Sequence, residues 1–338
     1  MIIRLIFIHH LNNLILIMTK PKLLVAMSSI PELVIELLLE RFEVEIFDFE
    51  NATKKEILNK VRGKFGIFCC AWTKIDEELI KNAGPSLKVI RTMSVGYDHV
   101  DLIAMKKYGV RLGYTSNISS EAIAETTIAL LIATSRRLFE ANHALKTDGW
   151  KQSLFWMCGR SIRNSVVGIV GCGNIGISIA KKLNTFNISQ LLYTSRGEKP
   201  EAKTLGGKLV TIDELVKQSD YIIVSVALNE DTKCIINRKR IAKMKSHAVL
   251  VNIGRGELID QGALIEALRE NRIGGVGLDV MTPEPLPLDN PLMKMTNVVL
   301  LPHIASASIE TRTEMAIVTA KNIIAVLDNT SMINELQL

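Results

Sequence analysis

Three side chains capable of chemistry recur at the same kind of place in this 338-residue chain. Arg255 follows the apolar run "HAVLVNIG", Glu284 follows "GGVGLDV", and His303 follows "NVVLLP". Such runs read as strands buried on both faces, the pattern of parallel sheets covered by helices. Ligands of open parallel sheets bind beyond the carboxyl ends of the strands, so the three residues are candidates for one site. Arg255 sits between Gly254 and Gly256 at the tip of a core strand. Its charge is permanent and costly to desolvate, so it calls for an anionic partner. A histidine titrates near working pH and can donate a proton, and a neighbouring carboxylate favours its charged, oriented form. Together the set suits reduction of a 2-oxo acid. Arg255 would hold the carboxylate and polarise the carbonyl, His303 would protonate the carbonyl oxygen, and Glu284 would orient His303. Taken singly, His303 reads equally as a turn residue and Glu284 as a loop-surface acid. Asp279, at the end of "GGVGLDV", reads equally as a cap or turn residue.

A hydride donor is the other requirement, and "VVGIVGCGNIG" supplies a place for one. Gly171, Gly173 and Gly176 form G-x-G-x-x-G between an apolar strand and a helical pattern. Gly171 makes the tight turn, Gly173 admits a pyrophosphate, and Gly176 lets helix and strand pack closely. Cys172, Asn174 and Ile175 belong to the same loop, with Cys172 read as a small apolar filler rather than a nucleophile. The next strand, "QLLYTSR", ends in Ser195 and Arg196. An NAD site places Asp or Glu there, about 20 residues past the last glycine, on the ribose 2′-hydroxyl. A hydroxyl and a guanidinium suit a 2′-phosphate instead, so NADPH is predicted in preference to NADH. The alternative is an exposed loop arginine with no cofactor role.

The elements that must position these residues are legible as alternating strand and helix patterns, which predicts α/β architecture. "KLLVAM", "VEIFDF", "KFGIFCC", "LKVIRTMS" and "VRLGYT" form a first set of strands, separated by helices such as "DLIAMKKYG", capped at Gly109. A helical pattern runs from Glu121 to Lys146. The second set begins at the glycine motif, and a helix from about Ser308 to Asp328 closes the chain. The predicted fold is two doubly wound parallel-sheet (Rossmann-like) domains with a cleft between them. Residues 19–118 with 305–338 make the substrate domain, 119–304 the dinucleotide-binding domain, and 1–18 an extension of unknown role. That extension is apolar but interrupted by His9, His10, Asn12 and Asn13, short of the roughly 20-residue span of a membrane helix.

With 48% apolar residues, the chain can form two ordinary cores. Its net charge of +6 shows no basic cluster beyond "NRKR", so an anionic small substrate is expected rather than nucleic acid or a membrane. The five cysteines, Cys69, Cys70, Cys158, Cys172 and Cys234, include no C-x-x-C, so neither a disulfide scaffold nor a metal site is expected. A reducing compartment, the cytoplasm, fits that usage, with organelle import through residues 1–18 as the rival.

With these residues assembled, the chain from about Lys22 to Leu338 resembles the D-2-hydroxyacid dehydrogenases, and within them the glyoxylate/hydroxypyruvate reductases. The resemblance lies in "MSVGYDHVD", "GWKQSLFWMCG", "VGIVGCGNIG", "LLYTSR", "VLVNIGRGELID", "GLDVMTPEPLPLDNPL" and "LLPHIASAS". It implies that Arg255, Glu284 and His303 form the catalytic triad. It implies also that backbone amides around Ser94, Val95 and Gly96 cradle the substrate carboxylate. Asp279 is implied to bond the nicotinamide carboxamide, Ile253 to lie against the cofactor, and Ser306 to sit near substrate and nicotinamide. Trp156 resembles an aromatic residue inserted by a partner subunit, which implies a homodimer; a plain core tryptophan is the alternative. Two departures stand out. Ala227 occupies a position where the reductases carry a hydroxyl near the cofactor, and the loop around Trp156 is one residue shorter than in animal reductases. Formate dehydrogenases resemble the family with glutamine in place of Glu284. Rival readings are an NAD-linked dehydrogenase of another D-2-hydroxy acid and a dinucleotide-sensing protein like the corepressors that share the fold.

Overall fold

The computed structural model describes residues 20–338, and the extension expected at residues 1–18 lies outside them. Two compact units result, one of residues 20–115 with 313–338 and one of residues 116–312. The crossings expected after residues 118 and 304 therefore fall after Thr115 and Arg312. Ala305 shows why: it is buried in the core of the second unit, its amide bonded to Asp279 and its carbonyl to the Thr126 hydroxyl.

In the first unit, β1 (Lys22–Val25), β2 (Glu43–Ile46), β3 (Gly66–Cys69), β4 (Val89–Thr92) and β5 (Arg111–Gly113) form a parallel sheet ordered β2-β1-β3-β4-β5. A two-residue strand, Glu335–Leu336, adds antiparallel to β5. Every residue of β3 and β4 is buried, as a sheet covered on both faces requires. Helices between the strands begin at side-chain caps on Thr53, Asp76 and Asp101, each worth about 1 kcal/mol. The helix Leu102–Tyr108 ends at Gly109 in the left-handed conformation (φ 64°), which glycine adopts without strain.

The second unit holds β6 (Val166–Val170), β7 (Gln190–Thr194), β8 (Gly207–Leu209), β9 (Tyr221–Val224), β10 (Val249–Asn252), β11 (Gly275–Leu278) and β12 (Val298–Leu300). All pair in parallel, in the order β8-β7-β6-β9-β10-β11-β12. The order reverses between β6 and β9, the switch point of a doubly wound sheet. The architecture is thus α/β with two Rossmann-like parallel sheets.

The expected helix Glu121–Lys146 is two helices, Ser120–Ser135 and Leu138–Thr147. The first is buried on nearly all sides, packing on β10, β11 and β12. A Cβ at Gly277 would lie 2.9 Å from the Thr134 hydroxyl, so glycine in β11 lets this helix approach. It ends where tertiary contact overrides its period. The Ser135 carbonyl accepts the Arg160 amide, and Gly159 passes so close that any Cβ would overlap that carbonyl. Arg137 then turns left-handed (φ 54°) and pairs with Glu140.

At the amino ends of β6, β9 and β10, Asp220 ties three strands together. Its carboxylate accepts the Val166 amide (2.8 Å), Lys245 Nζ (2.8 Å) and His247 Nε2 (2.9 Å). Burial opposes its ionisation, but these bonds prevail and lower its pKa to about 2. A depressed carboxyl pKa contributes stability that is present above the unfolded value and lost as pH falls through the folded one. Asp220→Asn is therefore expected to cost about 2 kcal/mol at neutral pH, the range for hydrogen bonds to a charged group. The deficit should shrink as pH falls from 4 towards 2. Denaturant melts across that range test this, and a deficit independent of pH would count against it.

Candidate active site

Asn252, the last residue of β10, is wholly buried, and its side chain shapes the loop that carries Arg255. It donates from Nδ2 to the Arg255 carbonyl (2.8 Å) and accepts the Gly254 amide on Oδ1 (3.1 Å). Any Cβ on Gly256 would overlap the Met281 carbonyl, so this glycine lets the loop after β10 lie directly on the loop after β11. β10, β11 and β12 are neighbours in the sheet, spaced about 4.8 Å apart. Arg255, Glu284 and His303 follow these three strands in turn.

Glu284 accepts the Met281 amide on Oε1 (2.9 Å), and its Oε2 lies 2.8 Å from His303 Nδ1. Burial disfavours the charged form, yet the bonds from His303 and Met281, with Arg255 beside them, hold this carboxyl below the usual range. An ionised carboxylate only accepts, so Nδ1 carries the proton in this pair. His303 has left-handed backbone (φ 54°), unusual for a residue with a Cβ. Asp279 enforces it. The Asp279 carbonyl accepts the His303 amide (2.8 Å), and its carboxylate oxygens accept the amides of Ile304 (2.7 Å) and Ala305 (2.9 Å). Burial pushes the Asp279 carboxyl above its ordinary value despite these two donors. The arrangement combines a cation, a carboxylate and an imidazole held in one orientation, which is the equipment for binding an anion and moving a proton.

Beside it lies the glycine loop. Gly171 has φ 93°, and a Cβ there would stand 2.6 Å from Val226 Cα; a Cβ on Gly176 would stand 2.6 Å from the Gly171 carbonyl oxygen. Gly173 is different: a Cβ there would meet nothing within 4 Å. The protein's own packing does not demand that glycine, whereas a pyrophosphate approaching the helix Asn174–Asn184 would. No acidic residue occupies the first turn of that helix. Asn174 donates to Asn117 Oδ1, and Ile175 packs against the core. Cys172 is buried, and burial pushes its thiol up to about 11, which keeps it neutral. Ser225 donates to the Gly171 carbonyl (2.8 Å), and the Thr194 hydroxyl accepts the Gly171 amide (3.1 Å). The loop is a fixed cradle that fits a dinucleotide.

The remaining expected residues fall as follows. Ser195 donates to the Gly197 carbonyl; Arg196 is exposed and makes no hydrogen bond or ion pair among the described residues. Ile253 is buried in the second unit's core, and Ser306 is half-buried two residues before Ser308. Trp156 is half-buried, beside the exposed Leu154 and Phe155. In the first unit, the amides of Val95 and Gly96 donate no hydrogen bond among the described residues. Among these residues no group of three or more His, Cys, Asp or Glu is placed to hold a metal ion. The sequence assigns no separate role to Asn252, Ser225 or Thr194; each stands at or just past a strand's carboxyl end.

Residues 128–305 match the family described as D-isomer specific 2-hydroxyacid dehydrogenase, NAD binding domain. The chain is 42% identical over 287 residues to the Mus musculus protein named glyoxylate reductase/hydroxypyruvate reductase, covering 84% of this chain and 88% of that one. A solved Sinorhizobium meliloti structure, an NADPH-dependent glyoxylate/hydroxypyruvate reductase in complex with NADP and malonate, superposes with TM-score 0.82 at 31% identity. It covers 94% of this chain and 97% of that one. A Thermus thermophilus structure reaches TM-score 0.87 at 36% identity, over 94% of this chain and all of that one.

The two glycines of the cradle should respond differently to a methyl group. Gly171→Ala is expected to cost on the order of 3 kcal/mol in a denaturant melt, from strain and overlap together. Gly173→Ala should melt within about 0.5 kcal/mol of the native chain, as open surface sites do. Its dinucleotide affinity by fluorescence titration should nonetheless fall at least about tenfold, about 1.4 kcal/mol. Unchanged affinity in Gly173→Ala would contradict the placement of the pyrophosphate.

Proposed function

This chain belongs to the D-isomer-specific 2-hydroxyacid dehydrogenases, and we propose that it reduces glyoxylate to glycolate and hydroxypyruvate to D-glycerate, with NADPH preferred over NADH. It is an NAD(P)-dependent oxidoreductase acting on small 2-oxo acids. The observation that supports His303 as proton donor to a 2-oxo acid is the 2.8 Å pairing of its Nδ1 with Glu284, next to the charge of Arg255.

The cradle of Gly171, Gly173 and Gly176 would hold a dinucleotide, which would supply the hydride. Arg255 pairs with the substrate carboxylate and draws electron density from the carbonyl, stabilising the charge that develops on its oxygen. His303, its Nδ1 proton engaged by Glu284, gives a proton from Nε2 to that oxygen. Glu284 remains ionised and keeps the ring from rotating. The amides of Val95 and Gly96 are further donors to the substrate carboxylate. Ser306 borders the substrate and Ile253 the cofactor; Asp279, each of whose oxygens has a lone pair left beyond the one amide it accepts, takes the nicotinamide carboxamide. Arg196 meets the 2′-phosphate, joined by Ser195 once its hydroxyl turns from the Gly197 carbonyl, a reading supported by an exposed guanidinium with no carboxylate in its place. We assign the functional form as a cytoplasmic homodimer. Exposed Trp150, Leu154 and Phe155 support the second copy, with Trp156 turned towards its substrate site.

His303→Ala should lower kcat for glyoxylate by a factor on the order of 10² or more, as loss of a general acid does. Activity within a few-fold of native would place the proton donor elsewhere. Arg196→Ala should weaken NADPH by about tenfold or more, one charged contact of about 1.5 kcal/mol or above, and leave NADH within twofold. Comparing kcat/KM for the two cofactors checks this; an equal loss for both removes Arg196 from the 2′-phosphate.

A further inference from the structure

The turn after β4 is held by a line of polar side chains that the reduction itself does not use. His99 Nε2 lies 3.1 Å from Thr92 Oγ1, Thr92 Oγ1 lies 2.7 Å from Ser94 Oγ, and Ser94 Oγ donates to the Gly96 carbonyl at 2.7 Å. Thr92 is wholly buried and Ser94 nearly so. Taken alone, the first two contacts have no fixed direction, because a hydroxyl or a ring nitrogen can donate or accept.

Counting protons fixes it. A carbonyl oxygen cannot donate, so the one hydroxyl proton of Ser94 is committed to Gly96. Ser94 can then only accept from Thr92, which commits the one proton of Thr92. Thr92 must therefore accept from His99, and Nε2 of His99 carries a proton. We propose that His99 and Thr92 are positioning residues for anion binding by the Ser94–Gly96 turn, acting through a hydrogen-bond chain that runs one way from His99 to Gly96. The proposal rests on the reading that this turn binds the substrate carboxylate.

The turn has two kinds of support. Its entrance is fixed by backbone: the Met93 amide donates to the Cys69 carbonyl (2.8 Å), and the Ser94 carbonyl accepts the Thr115 amide (2.8 Å). Its far side is fixed by the side-chain line, which draws the Gly96 carbonyl back onto Ser94. That carbonyl is thereby engaged within the turn, while the Val95 and Gly96 amides donate no hydrogen bond among the described residues. His99 is itself anchored, since its carbonyl accepts the Ile75 amide (2.9 Å) and the Val100 amide donates to the Tyr97 carbonyl (3.0 Å). Breaking the line loosens the cradle while leaving Arg255, Glu284 and His303 as they are, so the loss belongs in substrate affinity rather than in proton transfer.

The test joins a spectrum to kinetics on the full chain. Two-bond 1H–15N NMR of the 15N-histidine-labelled protein, with His99→Gln to assign the signal, should show the Nε2–H form of His99 when the ring is neutral. In steady state with saturating NADPH, Thr92→Val and His99→Leu should each raise KM for glyoxylate about tenfold, the worth of one net hydrogen bond, with kcat within twofold. Thr92→Ser and His99→Gln, which keep a donor at the same place, should recover most of the loss. An Nδ1–H tautomer, or KM within twofold of native in both disabling variants, overturns the proposal; if Thr92→Val fails to fold, the half-buried His99→Leu decides alone. If the native chain turns over no 2-oxo acid, the preceding reading is lost and this one with it. Native turnover with unchanged KM in the variants sinks this proposal by itself.

Discussion

Asp279 is the side chain on which the geometry of the site depends. Buried at the end of β11, it engages three consecutive amides, His303 through its carbonyl and Ile304 and Ala305 through its carboxylate. Left-handed backbone at a residue with a Cβ costs on the order of 1 kcal/mol. Releasing it here would leave a buried carboxylate short of its donors, which costs more. The strain at His303 is therefore held in place, and the ring is aimed before any ligand arrives. Glu284 completes the restraint from the other side, with one oxygen on the Met281 amide and the other on the ring.

The same economy appears wherever two loops must share little space. Glycine at 256 lets the chain after β10 rest on the chain after β11, and Asn252 spends its one side chain fixing the Arg255 loop from beneath. Neither group touches a reacting atom in the proposed chemistry. Both set where a charge stands, and the worth of an electrostatic contact in a low-dielectric site depends on that placement. The glycine loop follows the same logic, since Ser225 and Thr194 fix Gly171 from two neighbouring strands while Gly173 faces open space.

Much of this was legible in the sequence because parallel sheets present their strand ends on one side. Arg255, Glu284 and His303 each follow a continuous apolar run, and the runs proved to be adjacent strands β10, β11 and β12. The helix break at Arg136 and Arg137 was not legible: the apolar period runs through it, and the cause is a contact with Gly159 and Arg160, distant in sequence. The strands Gly207–Leu209 and Glu335–Leu336 are too short to carry a pattern. Asn252, Thr92 and His99 act through backbone or through another hydroxyl, and nothing in their residue type marks them. The Asp279 carboxylate also accepts the amides of the loop it positions, a role visible only once β11 and β12 are seen side by side.

A crystal structure of the complex with NADPH and oxamate, an unreactive mimic of a 2-oxo acid, tests the central claim most directly. The account predicts His303 Nε2 about 3 Å from the oxamate carbonyl oxygen, within hydrogen-bond reach, with Glu284 still on Nδ1 and Arg255 on the carboxylate. An imidazole turned from that oxygen, or a carboxylate bound without Arg255, would contradict it.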